Sequence, residues 1–257
     1  MDLSKNMLRL SYDEYYMLMC PMGTDSIKAT FADRYDGITE DAFAEMWIKC
    51  ENSLVEKGHL LRDEASLHLN AGLYFLLAEC IDARKVYNIQ LTDSAKDVRD
   101  ITYFEGNNTL VCIRNLTENE EVGVYLSPKK SEYETVTEKF IRQGMEDGEM
   151  GAVLTQQEYV TMMANANMGN MDKAKQVFGD APEVYAIDLI NALKKSCGML
   201  SINEYIEDDV MNYNILSGEK FFWAVFAEGE DSVGFKLIKP DEVKEAIRLT
   251  MDYKGGN

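Results

Sequence analysis

The sequence predicts an α+β protein made of a pseudo-two-fold duplicated unit, with antiparallel β-meanders and flanking helices. Three observations carry this. The stretch from Tyr213 to Pro240 reads as three short strands: Tyr213 to Leu216, the aromatic run Phe221 to Phe226, and Val233 to Ile238. They are separated by turns at Ser217-Gly218 and Glu228-Gly229-Glu230-Asp231. An echo lies upstream: Tyr103-Phe104, a Gly106-Asn107-Asn108 turn, Leu110 to Ile113, then Val122 to Leu126. Gly106 recurs as Gly218, Val122-Gly123 as Val233-Gly234 and Pro128 as Pro240, all at one offset to within a residue, and a helical pattern follows each proline. The boundaries implied are residues 1–143 for the first half, 144–152 for a linker rich in Gly and acid, and 153–257 for a second, reduced half, forming one globular unit.

Taken in order, Ser11 followed by Glu14 is a capping box, in which each side chain satisfies a free backbone N–H of a starting helix. Tyr15, Leu18 and Met19 continue that helix to Cys20-Pro21. Thr155 and Glu158 repeat the device. Phe43, Met46, Trp47, Cys50 and Leu54 form one helical stripe that Gly58 can end. Ala186, Leu189, Ile190, Leu193 and Cys197 have the same spacing, with Gly198 as the expected stop. From Ser66 to Cys80 the chain is almost continuously apolar, which predicts a helix buried on most sides. Val86 to Leu91 alternates with period two, placing Tyr87, Ile89 and Leu91 on one face of a strand, and the second half is expected to lack a counterpart. Tyr133, Val136, Phe140 and Ile141 mark the helix after Pro128, and Val243, Ala246, Ile247 and Met251 the one after Pro240.

Composition limits the function. The chain has 257 residues, 46% hydrophobic and 28% charged, an ordinary globular balance that argues against wholesale disorder. With 26 Lys+Arg against 45 Asp+Glu, the formal charge of −19 repels phosphate backbones and anionic membrane surfaces. Nucleic-acid partners are therefore disfavoured. No apolar run approaches the roughly twenty residues of a membrane span, and Met1-Asp2-Leu3-Ser4 opens no signal peptide. A cytoplasmic protein without membrane insertion is expected.

Chemistry-bearing residues are sparse. The five cysteines (Cys20, Cys50, Cys80, Cys112, Cys197) form no C-x-x-C pair, so reduced, buried thiols are expected rather than zinc or disulfides. Cys20 falls at a helix C-terminus, where the dipole disfavours a thiolate. His59 and His68 are the two histidines, and neither belongs to a recognisable catalytic motif. The acidic runs Glu118 to Glu121, Glu207-Asp208-Asp209 and Glu228 to Asp231 lack the calcium-loop pattern and read as solvated turns. No phosphate-binding glycine pattern occurs. No catalytic residue, cofactor or metal is expected. Two features suit a protein partner instead. Met162, Met163, Met168 and Met171 cluster, and flexible thioethers suit an adaptable binding surface or, equally well, the filling of a core. In the run Phe221 to Phe226, Phe222 and Trp223 face opposite ways, so both faces are expected to be covered, by the fold or by a partner; if this meander carries the docking face, its solvent-side aromatic dominates binding.

The order of elements, a helix ending in Leu54-Val55-Glu56-Lys57-Gly58-His59-Leu60, the apolar helix, the strand Val86 to Leu91, the meander, a helix and a reduced repeat, resembles the EspG family, the cytosolic chaperones of type VII secretion systems. The closing stretch Ser217 to Ile247 looks like that family's strand, strand, helix ending. The resemblance implies a pseudo-two-fold α+β fold without catalytic activity that binds the helical-hairpin tip of a secreted substrate. Family members often contact substrate through a long connection between two strands of the first half. Here the corresponding Thr92 to Asp97 is short, a departure from the family pattern; Thr92, Asp93 and Asp97 at that connection stand with Phe222, Trp223, Met162, Met168 and Met171 as candidate partner-binding residues. The short connection also points to a WXG- or LXG-type substrate. The expected function is a non-catalytic chaperone or adaptor. The alternative is an acidic immunity protein that blocks a toxin by mimicking its anionic substrate.

Overall fold

A computed structural model describes residues 7–20, 35, 37–64, 66–81, 83, 85–92, 98–105, 109–116, 120–195, 198–206 and 209–252. The fold is α+β, and the chain forms two compact units. The first comprises Met1–Asn88, Asp100–Lys129 and Glu204–Val210, the second Ile89–Arg99, Lys130–Asn203 and Met211–Asn257.

In the first unit, β1 (Leu8–Ser11) runs directly into α1 (Tyr12–Met19), and α2 (Glu40–Glu56) follows. A two-stranded ribbon, β2 (Leu60–Arg62) and β3 (Leu67–Leu69), leads to α3 (Ala71–Ile81), then to β4 (Val86–Thr92) and β5 (Val98–Glu105), whose residues 89–92 and 98–99 fall in the second unit, and on to β6 (Thr109–Leu116) and β7 (Glu121–Pro128). Their order in the sheet is β1-β7-β6-β5-β4. β1 pairs antiparallel with β7, as do β6 with β7 and β5 with β6. In the second unit α4 (Lys129–Phe140), which enters from the first, precedes β8 (Gly151–Thr155), α5 (Gln156–Asn167), α6 (Met171–Lys175) and α7 (Glu183–Lys194). Strands β9 (Gly198–Ile206) and β10 (Asp209–Ser217), whose residues 204–206 and 209–210 fall in the first unit, are followed by β11 (Phe222–Ala227), β12 (Ser232–Ile238) and α8 (Pro240–Thr250). The order here is β9-β10-β11-β12-β8, antiparallel at each pairing from β10 to β8.

Both capping boxes form as the sequence predicts. The Ser11 hydroxyl accepts from the Glu14 N–H at 3.1 Å while Glu14 accepts from the Ser11 N–H at 2.7 Å. Thr155 and Glu158 do the same at 3.3 and 2.8 Å. The corners match further: the Tyr12 N–H donates to the Glu120 carbonyl and the Gln156 N–H to the Asp231 carbonyl, 3.0 and 2.9 Å. Each helix start is thereby tied to the turn before the strand that its preceding strand pairs with. α2 ends as expected at Gly58, whose φ of +72° lets the Gly58 and His59 N–H groups reach the carbonyls of Val55 and Leu54.

Three expectations are corrected. α7 stops at Lys194 and Gly198 opens β9 instead of ending the helix, while Cys197 lies outside the described residues. β9 is the counterpart of β4 that the second half was expected to lack, with Leu200 and Ile202 buried in alternation. And the apolar run from Ser66 to Cys80 is not one helix: Leu67–Leu69 is strand β3, and α3 is covered on one side only, with Leu73, Leu76, Leu77 and Cys80 buried and Tyr74, Phe75 and Ile81 64%, 52% and 54% exposed. Near-continuous apolarity carries no periodic signal to say which face meets the core. Residues 144–152, expected as a linker, belong to the second unit, and the last two of them open β8. The Glu146 N–H donates to Lys220, the Met150 carbonyl accepts from Leu237, and Gly148 sits close against Leu237 and Tyr185.

The buried Glu14 carboxylate has a second role, since both its oxygens accept from Lys57 Nζ at 2.9 and 2.7 Å. Burial is the largest single influence and pushes its pKa up. The hydrogen bonds from Lys57, Ser53 and the Ser11 backbone together outweigh it and hold the carboxyl below its ordinary value of 4.5. A carboxyl held low when folded adds stability that is present above the unfolded pKa and lost as pH falls through the folded one. Glu14→Gln is therefore expected to cost about 1–2 kcal/mol at neutral pH and to flatten the acid limb of stability against pH. Urea titrations from pH 7 down to pH 3 check it, and an unchanged acid limb would count against the role given to Lys57.

Candidate functional site

The residues singled out in sequence do not gather on one surface. Phe222 and Trp223 do lie on opposite faces of β11, but neither reaches solvent, because each face is covered. Phe222 packs on Phe140 of α4, ring centroids 5.3 Å apart. Trp223 sits in the core formed with α5 and α7, where its indole N–H donates to Asp188 Oδ2 at 2.9 Å. Of the two alternatives, cover by the fold or by a partner, the fold itself covers both faces at Phe222 and Trp223. Met162 is buried in the same core and Met171 packs against it, whereas Met168 at the end of α5 is 68% exposed. Thr92 closes β4 half-buried, and Asp93 and Asp97 lie outside the described residues.

The thiols and histidines offer little chemistry. Cys50, Cys80 and Cys112 are buried and Cys20 is exposed. Burial, then the nearby Asp13 and Glu14 carboxylates, pushes Cys50 up to about 11, and burial, then Glu79, pushes Cys80 up to about 12, so neither thiolate forms near neutrality. Burial and then Lys57 lower the pKa of His59. Asp63, Ser66 and His68 meet at the tip of the β2–β3 ribbon, superficially a nucleophile, base and acid. Both the Ser66 hydroxyl (2.8 Å) and the Asp63 carboxylate (2.9 Å) contact the same nitrogen, His68 Nε2. A relay needs the two partners on different ring nitrogens. Together with the Asp63 N–H to Ser66 carbonyl bond, the cluster is a hydrogen-bonded turn. Among the described residues no group of three or more His, Cys, Asp or Glu is placed to hold a metal ion, and no helix is long and apolar enough to cross a membrane.

Two exposed apolar features were not legible in the sequence. In the first unit the outer face of α3 presents Tyr74, Phe75 and Ile81, with Ala78 half-buried between them. In the second unit a half-open cleft of about 350 Å³ lies over the helix-covered face of β11 and β12. Phe235 forms its floor and Val225 and Val233 continue it. Tyr159 of α5, stacked on Phe235 at 6.5 Å, and Leu193 of α7 are the walls. Glu230 and Asp231, both exposed, stand at the mouth. The N–H of Gln156, the first residue of α5, fixes this turn through the Asp231 carbonyl. A donor from α7, Lys194 Nζ, reaches the Ala166 carbonyl of α5 at 2.9 Å and ties the two walls.

No protein-family model and no curated protein sequence matches the chain. Among solved structures it is similar to EspG5 of Mycobacterium tuberculosis, a type VII secretion system chaperone whose structure was determined in complex with the PE25-PPE41 dimer. The likeness covers 96% of each chain with a TM-score of 0.56 and 9% sequence identity. At that identity what is shared is the fold: the chain has the α+β architecture of the EspG5 chaperone.

Proposed function

We propose that this protein is a cytosolic, non-catalytic chaperone or adaptor that holds a helical substrate of a type VII secretion system, of the WXG or LXG type. The observation that carries the reading is the fold likeness to EspG5 over nearly the full length of both chains. The exposed apolar surfaces on α3 and in the cleft over β11 and β12 support it, because contiguous apolar surface left in water marks protein contact more often than chemistry. We also take residues 1–143 and 153–257 as two halves of a duplication joined at 144–152. The matching strand-to-helix corners at Tyr12 and Gln156 support this.

Co-expression with the small helical secreted proteins encoded beside its own gene tests the function. The expected result is a complex that survives size-exclusion chromatography, and loss of that substrate from the culture medium when the gene is deleted. A chain that retains none of these proteins overturns the reading. The charge of −19 favours one other reading, an acidic immunity protein. That would show instead as protection of cells expressing a neighbouring toxin, with secretion intact.

A further inference from the structure

We propose that the cleft over β11 and β12 is a docking site for an amphipathic helical segment of a protein partner, one that presents a large aliphatic or aromatic side chain next to a lysine or arginine. This rests on the adaptor reading for the partner being a protein, and adds what its contact residues must be. The interior calls for an apolar group: Phe235, Val225, Val233, Tyr159 and Leu193 offer no charged atom, and four of the five are only half-buried. At about 350 Å³ the space lies at the small end of ligand pockets and suits side chains rather than an extended cofactor. The mouth calls for a cation. Glu230 and Asp231 line it, Glu228 is exposed in the same turn, and among the described lining residues none is basic. An anionic ligand would meet these carboxylates with no basic residue among the described lining to offset them. A lysine or arginine can lie with its methylene stem along the walls and its head among them. The buried apolar group then supplies most of the affinity, and the carboxylates discriminate between cationic and anionic flanks, through association rate and with sensitivity to salt.

The direct test uses the full chain and two fluorescent helical peptides. One carries leucines at i, i+3, i+4 and i+7 flanked by lysines, and its twin carries glutamates in place of the lysines. Wild type should bind the lysine peptide, weakening as salt rises, and bind the glutamate twin at least about tenfold less tightly. Glu230→Lys with Asp231→Lys should reverse this preference, and Leu193→Glu should weaken both peptides, with circular dichroism confirming that each variant folds. Reversal by the charge swap cannot come from unfolding. Equal binding of the lysine peptide by wild type and both variants, or none by wild type, overturns the proposal. A native secretion substrate retained equally by wild type and the charge-swap variant would leave the adaptor reading standing and remove the cleft. Peptide behaviour as expected, with no secretion substrate retained, would support the cleft and remove the adaptor reading.

Discussion

Asp188→Ala is expected to lower stability by about 2–4 kcal/mol, through the loss of two hydrogen bonds, one of which leaves the buried Trp223 indole N–H without its acceptor, and the melting temperature by about 10 °C. The Asp188 side chain is 5% exposed on α7. Its Oδ1 accepts from the Lys220 N–H and its Oδ2 from the Trp223 indole, both at 2.9 Å. It therefore joins the helix to the β10–β11 turn and to the strand beyond. The turn closes around it: a Cβ on Gly218 would collide with the Asp188 carboxylate, so Gly218→Ala should also destabilise. Arg142 Nη2 holds the far side of the turn, donating to Ser217 Oγ at 3.1 Å and to the Gly218 carbonyl. Asp188→Asn separates hydrogen bonding from packing. It keeps the volume but must turn its amide NH₂ toward one of the two donors, so its loss should fall between wild type and Ala. Chemical denaturation of the three proteins gives the ranking, and an Ala variant within about 1 kcal/mol of wild type would remove Asp188 from this role.

Lys129→Met should destabilise by about 3–5 kcal/mol, while Lys129→Met combined with Glu105→Leu should recover most of the loss. Lys129 Nζ pairs with Glu105 Oε1, and both side chains are buried. Removing the lysine leaves a carboxylate in a poorly solvating site. Removing both ends takes away the charge that had to be compensated. A double-mutant cycle from urea midpoints measures the coupling. Additive losses would mean that the two charges are solvated independently despite their burial.

Short-range devices are legible in the residues themselves. The capping boxes at Ser11 and Thr155, the glycine stop at Gly58 and the hairpin turns depend on groups within a few residues, so residue type and spacing settle them locally. Strand alternation is equally legible, and Phe222 and Trp223 do point opposite ways. Which face is covered is not, because that depends on α4 and on α5 with α7, elements placed by the rest of the chain. The same limit separates Met162, buried, from Met168, exposed six residues later at the end of the same helix. It also hid the solvent-facing side of α3, where a uniformly apolar run gave no period to read. The cleft is the extreme case. Tyr159, Leu193, Val225, Asp231 and Phe235 come from four separate elements and a turn, and only the packing of α5 and α7 over one sheet face brings them together. By itself the sequence determined the α+β class and the starts of the helices that carry a capping box, but not the β2–β3 hairpin or β9. The tertiary structure alone decided which apolar side chains remain in water, since exposure belongs to a side chain's distant neighbours and not to its type.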